Sequence, residues 1–288
     1  FGAFSGCRSL VTVERDTSDR PFELCESAFD NCTSLTGLKN VPRLSAIKED
    51  CFRGCTSLEQ FPLDECRHVA TGAFFGSGLK SVALPVVDFI GAEAFKECKQ
   101  MTRLFVGSTL KTLRQGAFSD TAIPCVHITT GKFCSTESAF SQCKKLKAVY
   151  FYTEPVTKTS PVFATDAGTI NIIPQQSYHA ESVTLGAYFF SECSALVTCK
   201  LPPYIHDLGS GCLQHTGLQS MWIPTTVHRI SNFAFHMCSD LRTVTFEPSA
   251  NTPLNIDDNA FMSCTALESV TFTRPIPKIE RAAFHNCV

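Results

Sequence analysis

The sequence holds one tryptophan, five tyrosines and four methionines in 288 residues, and only 18% of it is charged. No apolar run exceeds a few residues, far short of the about 20 that a membrane-spanning helix needs, so no membrane insertion is expected within this segment. Lysine and arginine (25) nearly balance aspartate and glutamate (27), for a formal net charge of −2. That leaves no basic footprint for nucleic acid and no polybasic patch for a membrane surface. The chain opens Phe1-Gly2-Ala3-Phe4, without an initiating methionine or a charged-then-apolar leader.

Assembled chemistry is also missing. Cys212 and His215 have the spacing of half a zinc site, but no second pair follows them. His236 and Cys238 bring an imidazole near a thiol, as a cysteine hydrolase requires, yet that thiol falls in a core phase described below. Gly209-Ser210-Gly211 is too short for a phosphate cradle and lacks a following lysine. Asp257-Asp258 suits a turn or a cap better than paired acid–base work. No catalytic residue, metal ligand or cofactor is expected. One glycosylation sequon, Asn31-Cys32-Thr33, is usable only if Asn31 points outward.

Two excesses stand against these absences. There are 24 phenylalanines and 16 cysteines in a chain that is 44% hydrophobic. An even cysteine count marks a disulfide framework in a short secreted domain, but a chain of this length can build a core without staples. Their placement is periodic. Phe4, Phe29, Phe52, Phe74, Phe95, Phe118, Phe140, Phe163, Phe190, Leu213, Phe235, Phe261 and Phe284 recur at steps of 21 to 27 residues. Three residues after each stands Cys7, Cys32, Cys55, Ser77, Cys98, Thr121, Cys143, Asp166, Cys193, Thr216, Cys238, Cys264 or Cys287.

After each cysteine comes a leucine-like residue, then a short alternating run such as Leu104-Phe105-Val106 or Val244-Thr245-Phe246. Period two over so short a stretch is a strand with one buried face. Proline often closes it, as at Pro85, Pro202 and Pro224, and two further apolar residues, such as Val87 and Ile90, precede the next anchor. One such unit cannot enclose its own apolar face, whereas stacked units pair their strands into a parallel sheet and align their anchors in columns. The expected fold is a repeat solenoid: one domain over residues 1–288, of about thirteen rungs, with a short helical or 3₁₀ turn at each anchor. The longer steps are expected as bulges in 15–21, 174–182 and 247–253. Both ends leave a rung unfinished, so a longer parent chain with capping segments is expected.

The pattern Ala-Phe-x-x-Cys-x-x-Leu-x-x-Val, carried by Ala94-Phe95, Cys98, Met101 and Leu104 and again by Ala139-Phe140, Cys143, Leu146 and Val149, resembles the BspA-like class of leucine-rich repeats. The resemblance runs through the whole chain. The departures are Asp166, Leu213 and Arg15. It implies an arc whose parallel β-sheet lies on the concave side, and a role in surface-exposed or secreted adhesion proteins of microbes.

The in-phase cysteines occupy a position that asks for a small, apolar residue with a weak donor, which cysteine supplies and serine or threonine can imitate. They are expected to be buried, free and inert. Cys51, Cys66, Cys199 and Cys212 also fall at core phases, Cys125 should face outward, and Cys25 and Cys134 are the candidates for exposure or bridging.

A core does not need the outward strand residues, so they are where a ligand would bind. Phe105, His127 and Tyr150 fall on successive repeats, with Arg103 beside Phe105, and Lys200 and Trp222 extend the series. Aromatic residues with arginine are the composition of binding hot spots. The expectation is a non-catalytic ligand-binding or adhesion ectodomain, extracellular or at the cell surface. Its partner would be a protein, a host or matrix protein among the candidates, bound on the concave face by Arg103, Phe105, His127, Tyr150, Lys200 and Trp222. The alternative is a cytoplasmic leucine-rich-repeat scaffold, which the thiol count favours.

Overall fold

A computed structural model describes residues 2–16, 23–107, 109–128, 136–151, 169–172, 183–248, 253–273 and 278–288, with only the backbone at 127, 128, 151 and 169–172. The three expected bulges, and the anchor Phe163 with Asp166, fall wholly or largely outside these residues. Two compact units are present: Phe1–Ile123 with Thr157–Gln175, and Pro124–Val156 with Gln176–Val288. Both are parallel β-solenoids.

In the first unit, the alternating run after each cysteine forms the expected strand. β1 (Thr12–Glu14) pairs in parallel with β2 (Gly37–Lys39), and β5 (Ser81–Leu84) pairs with β7 (Arg103–Val106). β5 and β7 bury alternate residues: Val82 and Leu84 face in, as do Leu104 and Val106. The apolar pair before each anchor forms a second parallel ladder. It consists of β3 (Ala46–Ile47), β4 (His68–Val69), β6 (Phe89–Ile90) and β8 (Thr112–Leu113), with Ile47, Val69, Ile90 and Leu113 buried in register. Each full rung therefore carries two short strands.

The anchors stack as planned. Phe29, Phe52, Phe74, Phe95 and Phe118 are buried, and consecutive rings lie 5.3 to 5.5 Å apart and within 10° of parallel. Each buried phenylalanine contributes about 1.5–3 kcal/mol relative to exposure.

The anchor segment is a turn, not the expected helix, and no helix occurs among the described residues. The cause is a pair of left-handed residues, one two positions before each anchor and one two positions after. Around Phe95 they are Glu93 (φ 55°) and Glu97 (φ 60°); around Phe52 they are Asp50 (φ 50°) and Gly54 (φ 66°). A left-handed residue every fourth position stops helical propagation. The backbone donors are satisfied in two directions instead. Ala94, Lys96 and Cys98 donate back three residues to Gly91, Glu93 and Phe95, while Glu93, Phe95 and Glu97 donate to Gln115, Ala117 and Ser119 of the next rung. Every second amide is thus an inter-rung bond, and the turn itself acts as a ladder.

The second unit repeats this plan. β9 (Cys125–Ile128), β10 (Ala148–Phe151) and β13 (Thr198–Lys200) pair in order, as do β15 (Ser220–Ile223), β17 (Thr243–Phe246) and β19 (Ser269–Thr271). The second ladder is β12 (Val183–Leu185), β14 (Ile205–Leu208), β16 (Arg229–Ile230), β18 (Asn255–Ile256) and β20 (Lys278–Ile279). The rung of Phe140 stacks directly on that of Phe190. Phe140 N–H donates to the Phe189 carbonyl at 3.0 Å, and β10 pairs with β13 without an intervening strand. β11 (Thr169–Ile172) pairs instead with β7 in the first unit.

Candidate functional site

Strand alternation sets what faces outward. On β7, Arg103 is exposed and Phe105 half-buried. In register, Phe105 has Ala83 on one side and Asn171 of β11 on the other. The expected lateral neighbour, His127 on the next repeat, is therefore replaced by Asn171, because β11 takes the place beside β7.

In the second unit, the backbone of His127 is opposite Tyr150, and Tyr150 is opposite Lys200. Tyr150 is 42% exposed, and Lys200 is exposed. β15 lies beside β13 and presents Trp222, 49% exposed, opposite Thr245. The fold thus gathers His127, Tyr150 and Lys200 into one row, with Trp222 on the strand beyond. Arg103 and Phe105 belong to the other unit. Looking only between inward strand residues passes over Lys147 and Val197. Both stand seven residues after their anchors and are exposed, and Val197 N–H donates to the Lys147 carbonyl at 3.0 Å. The charge that recurs at this offset, in Glu59, Arg242 and Glu268, was the available signal.

The thiol column carries no chemistry. Cys32, Cys55, Cys98, Cys143, Cys193, Cys238 and Cys264 are buried and form no disulfide. Each of Cys55, Cys98, Cys193, Cys238 and Cys264 donates to the carbonyl of the preceding anchor at 3.1 to 3.2 Å. Burial pushes the Cys55 and Cys98 thiols up to about 12, far from a nucleophilic thiolate at neutral pH. Cys7, expected to be buried with the others, is exposed, as is Cys25. Cys287, likewise expected to be buried, is half-buried. Cys51, Cys66, Cys199 and Cys212 are buried as their phase requires, Cys125 is half-buried, and Cys134 lies outside the described residues.

The half-sites for metal or hydrolysis do not close. Cys212 is buried, and the His215 ring packs edge-on against His236 at 5.7 Å. His236 Nδ1 meets the Met262 carbonyl at 3.0 Å instead of a thiol. Asp257 is paired with Arg229 at 2.7 Å. Among the described residues no three His, Cys, Asp or Glu side chains converge to hold a metal ion. An open cleft of about 300 Å³ is lined by Glu23, Leu24, Cys25, Glu26 and Lys48, without a histidine. Asn31 of the sequon is exposed, its amide Nδ2 donating to Asp30 Oδ1 at 2.9 Å. No helix among the described residues is long and apolar enough to cross a membrane.

The sequence matches the model of the BspA type leucine rich repeat region in six copies, over residues 1–89, 67–178 and 171–288. Curated protein sequences give no match. Among solved structures, a leucine-rich repeat protein from Bacteroides ovatus superposes with a TM-score of 0.61 at 22% identity, covering 100% of this chain and 67% of that one. A leucine rich cell surface protein from Faecalibacterium prausnitzii gives a TM-score of 0.45 at 19% identity, covering 93% of this chain and 61% of that one. This chain therefore spans between three-fifths and about two-thirds of these neighbours. The stacked phenylalanines, the thiol column and the family match over the whole sequence have one meaning: the chain belongs to the BspA type leucine-rich repeat family.

Proposed function

We propose that this chain is a non-catalytic binding module of a microbial surface or secreted protein, and that it holds a protein partner on the outward face of its first ladder of strands. The observation that supports this most is the pair Tyr150 and Trp222, 42% and 49% exposed on a rigid sheet whose core does not use them. A large exposed ring on a rigid strand is ordered before a partner arrives, so little entropy is lost on binding. Family membership supports the surface role, because BspA-like repeats are associated with adhesion.

The test is binding to immobilised host-surface and matrix proteins, followed by alanine at each position. Tyr150→Ala and Trp222→Ala are expected to leave the circular dichroism spectrum unchanged and to weaken binding by about 1–3 kcal/mol each. His127→Ala tests the same row in the second unit, and Phe105→Ala tests the separate outward face of the first unit. A partner whose affinity is unchanged by all four substitutions rejects the face.

The free thiols favour a second reading, a cytoplasmic scaffold. Labelling of intact cells with an impermeant thiol reagent separates the two, since exposed Cys7 and Cys25 react only if the chain is outside.

A further inference from the structure

At two other places among the described residues, a charge at the edge of the first ladder is neutralised by its neighbour one rung away. Lys80 pairs with Glu59 at 2.6 Å, and Arg242 pairs with Glu268 at 2.7 Å. All four residues stand six or seven positions after their anchors, just before the strand begins. Lys147 holds this position just before β10, but its neighbour just before β13 is Val197, a hydrophobe that is 47% exposed. Nothing on the adjoining rung neutralises it.

Three more cations share this part of the second unit. Lys144 and Lys145 sit on the turn leading into β10, and Lys200 lies opposite Tyr150 in register. All four lysines are exposed, and none belongs to an ion pair among the described residues. The described carboxylates of these two rungs are Glu137 and Glu192 on the anchor turns and Asp207 on the second ladder, and none is in an ion pair with these lysines. The result is a cationic strip interleaved with exposed Val197, Tyr150 and Trp222, in a chain whose formal net charge is −2.

We infer that this face takes an acidic peptide segment of a protein partner. Carboxylates lie against Lys147 and Lys200, with Lys144 and Lys145 adding longer-range attraction, and apolar or aromatic side chains lie against Val197, Tyr150 and Trp222. The inference rests on the reading that this sheet face binds protein, and adds the chemistry of what it binds. A basic or neutral segment would bury the rings but leave four cations uncompensated, whereas an acidic one satisfies both features. Charges on such a rim act mainly on association rate and on partner choice.

The test uses three short fluorescein-labelled peptides that alternate tyrosine with glutamate, glutamine or lysine, titrated against the whole chain by fluorescence anisotropy. The glutamate peptide is expected to bind most tightly, and Lys147→Ala and Lys200→Ala each to weaken it about five-fold. Lys99→Ala, which removes a charge paired with Asp120 in the other unit, is expected to change nothing. Raising salt to about 1 M, where screening acts within about 3 Å, should remove the preference for glutamate over glutamine. No binding of the glutamate peptide at millimolar concentration overturns the inference. If the glutamine or lysine peptide binds as well as the glutamate peptide and still depends on Tyr150 and Trp222, the acidic class is overturned while the binding face stands. If the glutamate peptide binds but is indifferent to Tyr150→Ala and Trp222→Ala, the face itself is rejected.

Discussion

The thiol of Cys98 donates a hydrogen bond across the rung boundary to the backbone carbonyl of Phe74, at 3.1 Å. That carbonyl already accepts the amide of Ser77 within its own rung at 3.0 Å, so the sulfur adds a second, weaker bond. Where the column residue is threonine, the hydroxyl turns back instead. Thr121 and Thr216 donate to the carbonyls of their own anchors, Phe118 and Leu213, at 3.0 and 2.8 Å. The shorter hydroxyl completes its own turn, and the longer thiol ties one turn to the last.

The first expectation concerns this column. Replacing Cys98 by serine should cost no more than about 1 kcal/mol, the size of one modest hydrogen bond. In the native protein, iodoacetamide should label Cys7 and Cys25 quickly, while Cys55, Cys98, Cys193, Cys238 and Cys264 react only after denaturation. Mass spectrometry of labelled peptides reads both, and native labelling at Cys98 would show an accessible column.

The second follows from thiol ionisation. Burial pushes Cys51, Cys55, Cys98 and Cys199 up to about 12 from an ordinary 9.0. The fold therefore keeps protons that the unfolded chain releases above pH 9. Stability from this source is intact below pH 9 and is lost as pH rises toward 12. Each thiol loses about 1.4 kcal/mol per pH unit in that window. Thermal melts should be level with respect to these thiols up to pH 9 and fall steeply by pH 10.5; a flat profile across that range contradicts their burial.

The third concerns the aromatic column. Phe95 lies 5.4 Å from Phe74 and 5.5 Å from Phe118, fully buried between them. Phe95→Ala removes both stacks and leaves a cavity that stacked rungs cannot collapse to fill. A loss of about 3–5 kcal/mol in urea unfolding is expected, and a loss under 1 kcal/mol would mean that the column does not hold the rungs together.

The fourth concerns the left-handed pairs. Gly76 and Met237 occupy the same phase, two residues after their anchors, with φ of 64° and 55°. A Cβ on Gly76 would meet nothing within 4 Å, and Met237 is 45% exposed, so side-chain packing barely enters. Gly76→Ala should destabilise by about 1 kcal/mol and Met237→Gly should stabilise by about 0.5–1 kcal/mol. Opposite signs are the diagnostic result, read from denaturation midpoints.

The sequence alone determined the period, the first ladder and the inert thiols. These follow from residue type at fixed spacing: an alternating Leu104-Phe105-Val106 can bury only one face, and a cysteine repeated in one phase must sit in one column. Other features were faintly legible. Gly2, Gly6, Asn31, Asp50, Gly54, Gly72 and Gly76 stand at the left-handed positions of the early rungs, a turn signal masked later by Glu93, Glu97, Phe233 and Met237. Those residues tolerate the conformation because bonds to the next rung over-determine it, and no single repeat contains that information. The second ladder escaped notice because strands as short as Phe89–Ile90 show no alternation.

Only tertiary structure decided which residues of the candidate site are neighbours. Sequence order placed Phe105 next to His127, but β11 takes the position beside β7, and Phe140 stacks directly on Phe190 so that Tyr150 meets Lys200. Lateral neighbours in a parallel sheet are set by which strand's amides reach which carbonyls, and a strand that pairs out of sequence order changes that without altering the repeat on either side. The uncompensated charge of Lys147 has the same origin. A lysine in an outward phase reads alike in every repeat, and only the neighbouring rung, glutamate beside Lys80 and valine beside Lys147, determines whether it is already neutralised.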